Sequence, residues 1–230
     1  MKLVLFDVDG TLLSARGAGR RALGRALVEI YGTAGPIDTY DFHGGTDPQI
    51  VRGLLSAAGL SLAEVAVREN HLYARYLEHL DAEVGEGREV SLYPGVAILV
   101  ETLAATDGCL LGLLTGNIEA GARIKLQPTG LLPHFRLGAY GSDHADRTHL
   151  PAVAARRAEA LAGRAFPGSA VVVIGDTPRD VGCARAFGAA SIAVATGRHT
   201  IDELLACGAD HVFADLHETR RVLAAILVGA

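Results

Sequence analysis

At 230 residues the chain is long enough for one large domain or a core with a smaller companion, and with half its residues hydrophobic and a fifth charged it is neither disordered nor fibrous. A formal net charge of −5, with arginines scattered rather than clustered into a stripe, leaves no basic footprint for nucleic acid. The three cysteines, Cys109, Cys183 and Cys207, are far apart and show no Cys-x-x-Cys spacing, which argues against a disulfide framework and against a zinc site.

Taken in chain order, the first apolar run, Leu3 to Phe6, reads as a buried strand that ends in Asp7-Val8-Asp9-Gly10-Thr11. It is too short for a signal sequence or a membrane span, so the expected address is cytoplasmic. From about Ser14 to Arg88 the pattern is helical with no convincing buried strand. The edges of this insert are marked by Gly17-Ala18-Gly19 and by Gly85-Glu86-Gly87 followed by Tyr93-Pro94-Gly95. Residues 15–88 are therefore expected to form an all-helical domain inserted into a core made of residues 1–14 and 89–230. Within the insert, His43-Gly44-Gly45-Thr46-Asp47-Pro48 breaks the helical period as a loop, with Thr46 or Asp47 placed to cap the next helix and Pro48 at its start. His71, Tyr73, Tyr76 and His79 share a helix, but histidines eight apart without a third ligand read as packing and surface residues.

Beyond the insert, helical stretches alternate with apolar runs at Leu110 to Leu114, Ala170 to Ile174, Ser191 to Ala195 and His211 to Phe213, and a further strand precedes Ser142-Asp143-His144. Strand alternating with helix predicts an α/β fold with a doubly wound parallel sheet. In such a sheet ligands bind beyond the carboxyl ends of the strands. Those positions hold Asp7 and Asp9, Thr115-Gly116-Asn117, and Gly175-Asp176-Thr177-Pro178-Arg179-Asp180. Crowded carboxylates repel unless a cation joins them, and hard oxygen donors suit Mg2+. Asp7, Asp176 and the carbonyl of Val8 are the expected ligands, with Asp180 direct or through water and Asp9 in the same acidic set. Asp143 is either a further acid near the ion or a loop residue.

Asp-x-Asp-Gly-Thr after an N-terminal strand, a hydroxyl after a second strand and Gly-Asp-x-x-x-Asp after a later one together resemble the haloacid dehalogenase superfamily. The resemblance covers nearly the whole chain and implies a Rossmann-like core with a helical cap. It implies Asp7 as the nucleophile that becomes an aspartyl-phosphate, and Asp9 as the acid that protonates the leaving alcohol and then activates water. Thr115, Gly116 and Asn117 would hold the phosphoryl oxygens, and Mg2+ would sit on the acids named above. The basic residue that such families place against the nucleophile is not found as a lysine at its usual position, which Asp146-Arg147 fills. Lys125, one of only two lysines, is favoured over Arg147 for this role because a compact ammonium suits a crowded phosphoryl site.

The loop at His43, Gly45 and Thr46 resembles the substrate-facing loop of phosphoglycolate phosphatase-like relatives, and Arg16 and Arg20 lie near the start of the cap. Asp9 favours phosphatase over dehalogenase chemistry, and the absence of a cap lysine argues against a phosphonatase. The expected activity is hydrolysis of a small phosphate monoester, phosphoglycolate first among substrates. A sugar phosphomutase and a non-catalytic binder of phosphorylated metabolites stand as alternatives. Oligomeric state is not legible.

Overall fold

The computed structural model describes residues 1–85 and 90–228. In chain order it forms β1 (Lys2–Phe6), β2 (Leu13–Ser14), α1 (Ala18–Tyr31), α2 (Asp47–Ala57), α3 (Leu62–Val84), β3 (Ser91–Leu92), α4 (Val96–Ala104) and β4 (Cys109–Thr115). There follow α5 (Glu119–Leu126), β5 (Leu137–Tyr140), α6 (Leu150–Ala162), β6 (Val171–Gly175), α7 (Pro178–Phe187), β7 (Ala190–Val194), α8 (Ile201–Ala206), β8 (His211–Phe213) and α9 (Thr219–Val228). Six strands form one sheet in the order β5-β4-β1-β6-β7-β8, and every pair in it is parallel.

β1 lies between β4 and β6, so both of its faces must be covered, and its sequence is apolar throughout. Successive side chains of a strand point to opposite faces. Val4 and Phe6 join a cluster that contains Leu99, Val100, Ala122 and Val222 from α4, α5 and α9. Leu3 and Leu5 join the opposite cluster, with Ala154, Ala158 and Ala184 from α6 and α7. Helices thus cover both faces, which is the doubly wound arrangement that the alternation predicts.

α1, α2 and α3 lie between β2 and β3, which pair antiparallel as Leu13 with Leu92 and Ser14 with Ser91. Leu27, Leu54, Leu72 and Tyr76 from these helices belong to the same apolar cluster as Phe6 of the sheet. Local chemistry fixes their ends. Ser61 and Glu64 form a reciprocal capping box at α3, and α1 stops at Gly32 with φ 76°. The expected boundary at residues 88 and 89 falls outside the described residues.

Candidate active site

The crossover from one side of β1 to the other opens a crevice at the carboxyl ends of β1, β4 and β6. Asp7 follows β1 directly and is buried. The chain then folds back on itself, with Leu12 and Leu13 donating their N–H groups to the Val8 carbonyl at 3.0 and 3.1 Å. The Val8 carbonyl, expected as a metal ligand, accepts both of these turn bonds. Among the described residues the Asp9 carbonyl carries no such turn bond.

Asp176 follows β6, and its carboxylate occupies space that only glycines leave open. A Cβ on Gly10 would lie 2.3 Å from Asp176 Oδ2, and one on Gly197 would lie 1.9 Å from it. Gly10 also has φ +86°, a conformation that side chains resist. Thr11 donates its hydroxyl to Asp176 Oδ1 at 3.0 Å, a contact the sequence reading did not assign although Thr11 belongs to the first motif. Asp180 stands in the first turn of α7, where the Thr177 amide donates to its Oδ2 at 3.0 Å in a second capping box. The cap turns the carboxylate of Asp180 back toward Asp176, and oxygens of Asp7, Asp176 and Asp180 lie within 4.8 Å of one another. Asp143 stays apart: it accepts from Arg157 at 2.6 and 2.7 Å and from the Tyr140 amide at 3.0 Å, a loop-fixing role.

Both candidate cations reach this crevice, each to a different acid. Arg147, buried, pairs with Asp7 at 3.0 Å and with Asp180. Its Nε is buried without a hydrogen-bond partner in the protein. Lys125, also buried, places Nζ 2.7 Å from Asp9 Oδ2 and donates to Asn117 Oδ1 at 2.7 Å. Asn117 in turn donates to the same Asp9 oxygen at 2.7 Å and to the Thr115 hydroxyl at 2.9 Å. The residue against Asp7 is thus Arg147, while the preferred Lys125 holds Asp9.

Burial raises the Asp7 carboxyl to about 6, with Arg147 pulling against it and Asp180 and Asp9 adding to the rise. Burial, then the charges of Asp7 and Asp180, push Asp176 well above the ordinary carboxylate range. Burial lowers the tendency of Arg147 to hold its proton, but Asp180 and Asp7 outweigh it and the guanidinium stays charged. With Lys125 set against Asp9, the three clustered acids face one further cation, Arg147, so two negative charges remain uncompensated when all are ionised. An all-oxygen donor set with that deficit fits a divalent cation.

The helical segment closes over this crevice through the loop before α2. A Cβ on Gly116 would lie 1.9 Å from the Gly45 carbonyl oxygen, and one on Gly44 would lie 2.7 Å from Thr177 Oγ1. The Asp47 amide donates to the Gly116 carbonyl at 2.8 Å, and the Asp47 carboxylate accepts from the Ile118 amide at 2.8 Å. Burial raises the Asp47 carboxyl to about 6 against the pull of Lys125. The sequence suggested only a helix cap for Asp47, yet it ties the helical segment to the Thr115–Ile118 loop. Thr46 is the actual cap, accepting from the Gln49 amide at 3.3 Å, and its buried hydroxyl donates to the Ala145 carbonyl at 2.6 Å. Gly45 and His43 line the resulting cavity of about 450 Å³, together with Asp7, Asp9, Thr115 and Gly116.

Residues 1–188 match the haloacid dehalogenase-like hydrolase family. The chain belongs to that family. Among curated proteins it is similar to the phosphoglycolate phosphatase of Rhodospirillum rubrum, 30% identical over 219 residues, covering 93% of this chain and 87% of that one. It is 29% identical over 213 residues to the phosphoglycolate phosphatase of Synechococcus elongatus, covering 91% of both. The fold of this haloacid dehalogenase-like hydrolase matches a hydrolase from Pseudomonas syringae with a TM-score of 0.74 at 20% identity, over 98% of this chain and 99% of that one. Asp7, Asp9, Thr115, Arg147 and Asp176 all fall inside the matched residues.

Proposed function

We propose that this hydrolase is a Mg2+-dependent phosphatase that cleaves a small phosphate monoester through an aspartyl-phosphate on Asp7, with phosphoglycolate the leading substrate. The observation that carries the reading is the buried Asp7 carboxylate, joined by Arg147 and Asp180 at the floor of a cavity that the helical segment closes. Asp7 attacks phosphorus as the bond to the ester oxygen breaks, and Asp9 gives its proton to the departing alcohol. Asp9 then takes a proton from water as that water attacks phosphorus and frees the Asp7 carboxylate. Asn117 and Lys125 both donate to Asp9 Oδ2, which leaves Oδ1 as the oxygen that carries the proton. Thr115 and the amides of Gly116 and Asn117 face the phosphoryl oxygens, and Arg147 neutralises charge that builds on them.

Asp7, Asp176, Asp180 and the main chain of Asp9 would hold Mg2+, which supplies charge neutralisation at the phosphoryl group when bound. Residues 15–88 serve as the cap and residues 1–14 with 89–230 as the catalytic core. The choice of phosphoglycolate rests on the activity for which the two curated relatives are named, and on the loop residues His43 and Gly45 that line the cavity; Thr46, expected with them, turns its hydroxyl inward to Ala145. Small phosphorylated metabolites are made and used in the cytoplasm, which is the proposed location. Among the described residues no helix is long and apolar enough to cross a membrane.

The test is phosphate release from a panel of monoesters, with and without Mg2+, for the wild type and Asp7→Asn. Metal-dependent release that drops at least about a thousandfold in the variant is expected, since the nucleophile is removed while the cavity is kept. Undiminished release by Asp7→Asn would overturn the assigned nucleophile. Phosphoryl transfer between sugar phosphates without release would favour the phosphomutase alternative.

A further inference from the structure

The arginines in and just before the first cap helix divide into two sets. Arg21 and Arg25 turn outward to Glu83 on α3, with contacts of 2.7 and 2.8 Å. Arg16, two residues before α1, and Arg20, in its first turn, line the cavity instead. Neither pairs with a carboxylate among the described residues. Arg20 donates to the Ile37 carbonyl and, at 3.1 Å, to the Tyr40 carbonyl, and its guanidinium lies 4.2 Å from the centre of the Phe42 ring. It is a cation held rigidly by neutral groups. The guanidinium of Arg16 has no hydrogen-bond or ion-pair partner among the described residues, and among these Arg16 is the one non-glycine with positive φ, 46°. A non-glycine in this conformation is held there against its own preference.

Two other basic groups at the cavity mouth, Arg198 and His43, are already matched by Asp41, at 3.0 and 2.9 Å. The unmatched positive charge therefore belongs to Arg16 and Arg20. It stands close to the reacting end, because Gly19, the neighbour of Arg20, packs so that a Cβ there would be 3.3 Å from Lys125 Nζ. A cation set this close to the phosphoryl end suits a molecule of a few heavy atoms.

On the reading of this site as a phosphatase, we propose that Arg16 and Arg20 form a second anion-recognition point, selecting short phosphate monoesters that carry a carboxylate beyond the ester oxygen. A planar guanidinium matches a carboxylate with paired donors, and the rigid Arg20 loses little freedom on binding. An alcohol or amide in place of the carboxylate leaves the two cations without a counter-charge. This assigns specificity to the first turn of the cap, where the cap loop at His43 supplies closure.

The experiment compares phosphoglycolate with its neutral amide, phosphoglycolamide, at saturating Mg2+. The quantity read is the ratio of kcat/KM for the acid to kcat/KM for the amide. The wild type is expected to favour the acid, and Arg16→Gly, which suits the left-handed backbone, is expected to lower the ratio at least tenfold through KM. Arg20→Gln should act in the same direction. Arg25→Gln, which removes an outward charge from the same helix, should leave the ratio within twofold of the wild type. A ratio unchanged in Arg16→Gly, or lowered equally by Arg25→Gln, overturns the proposal while leaving the phosphatase reading intact. If no monoester is turned over, the phosphatase reading falls. Calorimetric titration of both compounds into Asp7→Asn protein, with and without Arg16→Gly, then decides the recognition point. Tighter binding of the acid that is lost with Arg16 supports it, and equal binding of acid and amide refutes it.

Discussion

At the scale of single residues the site is a problem of buried charge. Among the described residues Arg147 is the one cation in contact with the clustered acids, and a buried pair that loses one partner strands the other. Arg147→Met is therefore expected to cost about 3–5 kcal/mol in metal-free denaturation at neutral pH, beyond its loss of turnover. Acid should restore part of that stability, because Asp7, already raised to about 6, sheds its charge on protonation. A variant as stable as the wild type at pH 7 would show that the acids do not depend on Arg147. Lys125 and Arg147 also illustrate a limit of local reading. Both were legible as basic candidates, but which acid each meets depends on approaches across 116 and 33 positions of sequence, which residue spacing does not encode.

Asp47 carries a pH dependence of its own. Its carboxyl is raised to about 6 in the folded chain, so folding favours its protonated form. The sign follows from proton binding: between about pH 4 and 6 the folded state holds the Asp47 proton that the unfolded state has lost, and stability from this group falls as pH rises. Asp47→Asn keeps an oxygen for the Ile118 amide and removes the charge. Relative to the wild type it should gain stability as pH rises through that window, reaching about 3 kcal/mol by pH 7, measured by denaturant midpoints. A flat difference between pH 4 and 7 would rule this out.

At the scale of elements, the contact that matters joins the loop before α2 to the loop after β4. Gly116 exists as glycine because the Gly45 carbonyl would lie 1.9 Å from any Cβ. Gly116→Ala should leave the sheet folded but push the two loops apart. Expected results are loss of most turnover, a stability cost of about 1–3 kcal/mol, and faster amide exchange at Asp47, whose N–H bonds to Gly116. Unchanged turnover would show that this loop contact does not matter to catalysis. The elements themselves were well marked in the sequence. Apolar runs gave the strands because β1, β4 and β6 are covered on both faces, and capping residues such as Ser61 and Thr177 act over a single turn. Thr46 shows the other side: its sequence position suggested substrate contact as readily as capping, and only packing against Ala145 turned its hydroxyl inward.

At the scale of the whole molecule, the active crevice is where the parallel sheet reverses its winding and the helical segment lies across it, sharing one apolar cluster with the sheet. On the proposed metal site, the uncompensated acids should make the folded chain a better Mg2+ ligand than the unfolded one. Mg2+ at a hundred times its Kd should stabilise the protein by about 2.7 kcal/mol, and Asp176→Asn should abolish most of that gain. A thermal midpoint insensitive to Mg2+ would speak against the metal site.

The sequence by itself determined the doubly wound α/β class, the helical insertion, and the acids and hydroxyls at the strand ends, because strand periodicity and the turn after a strand are local properties. Only the tertiary structure decided that Arg147 meets Asp7, that Lys125 meets Asp9, that the Val8 carbonyl is spent in a turn, and that Asp47 binds the loop after β4. Except for the turn at Val8, which closes within five residues, these are contacts between segments far apart in the chain. Their partners are chosen by how helices and sheet pack, and by where glycine lets two backbones approach.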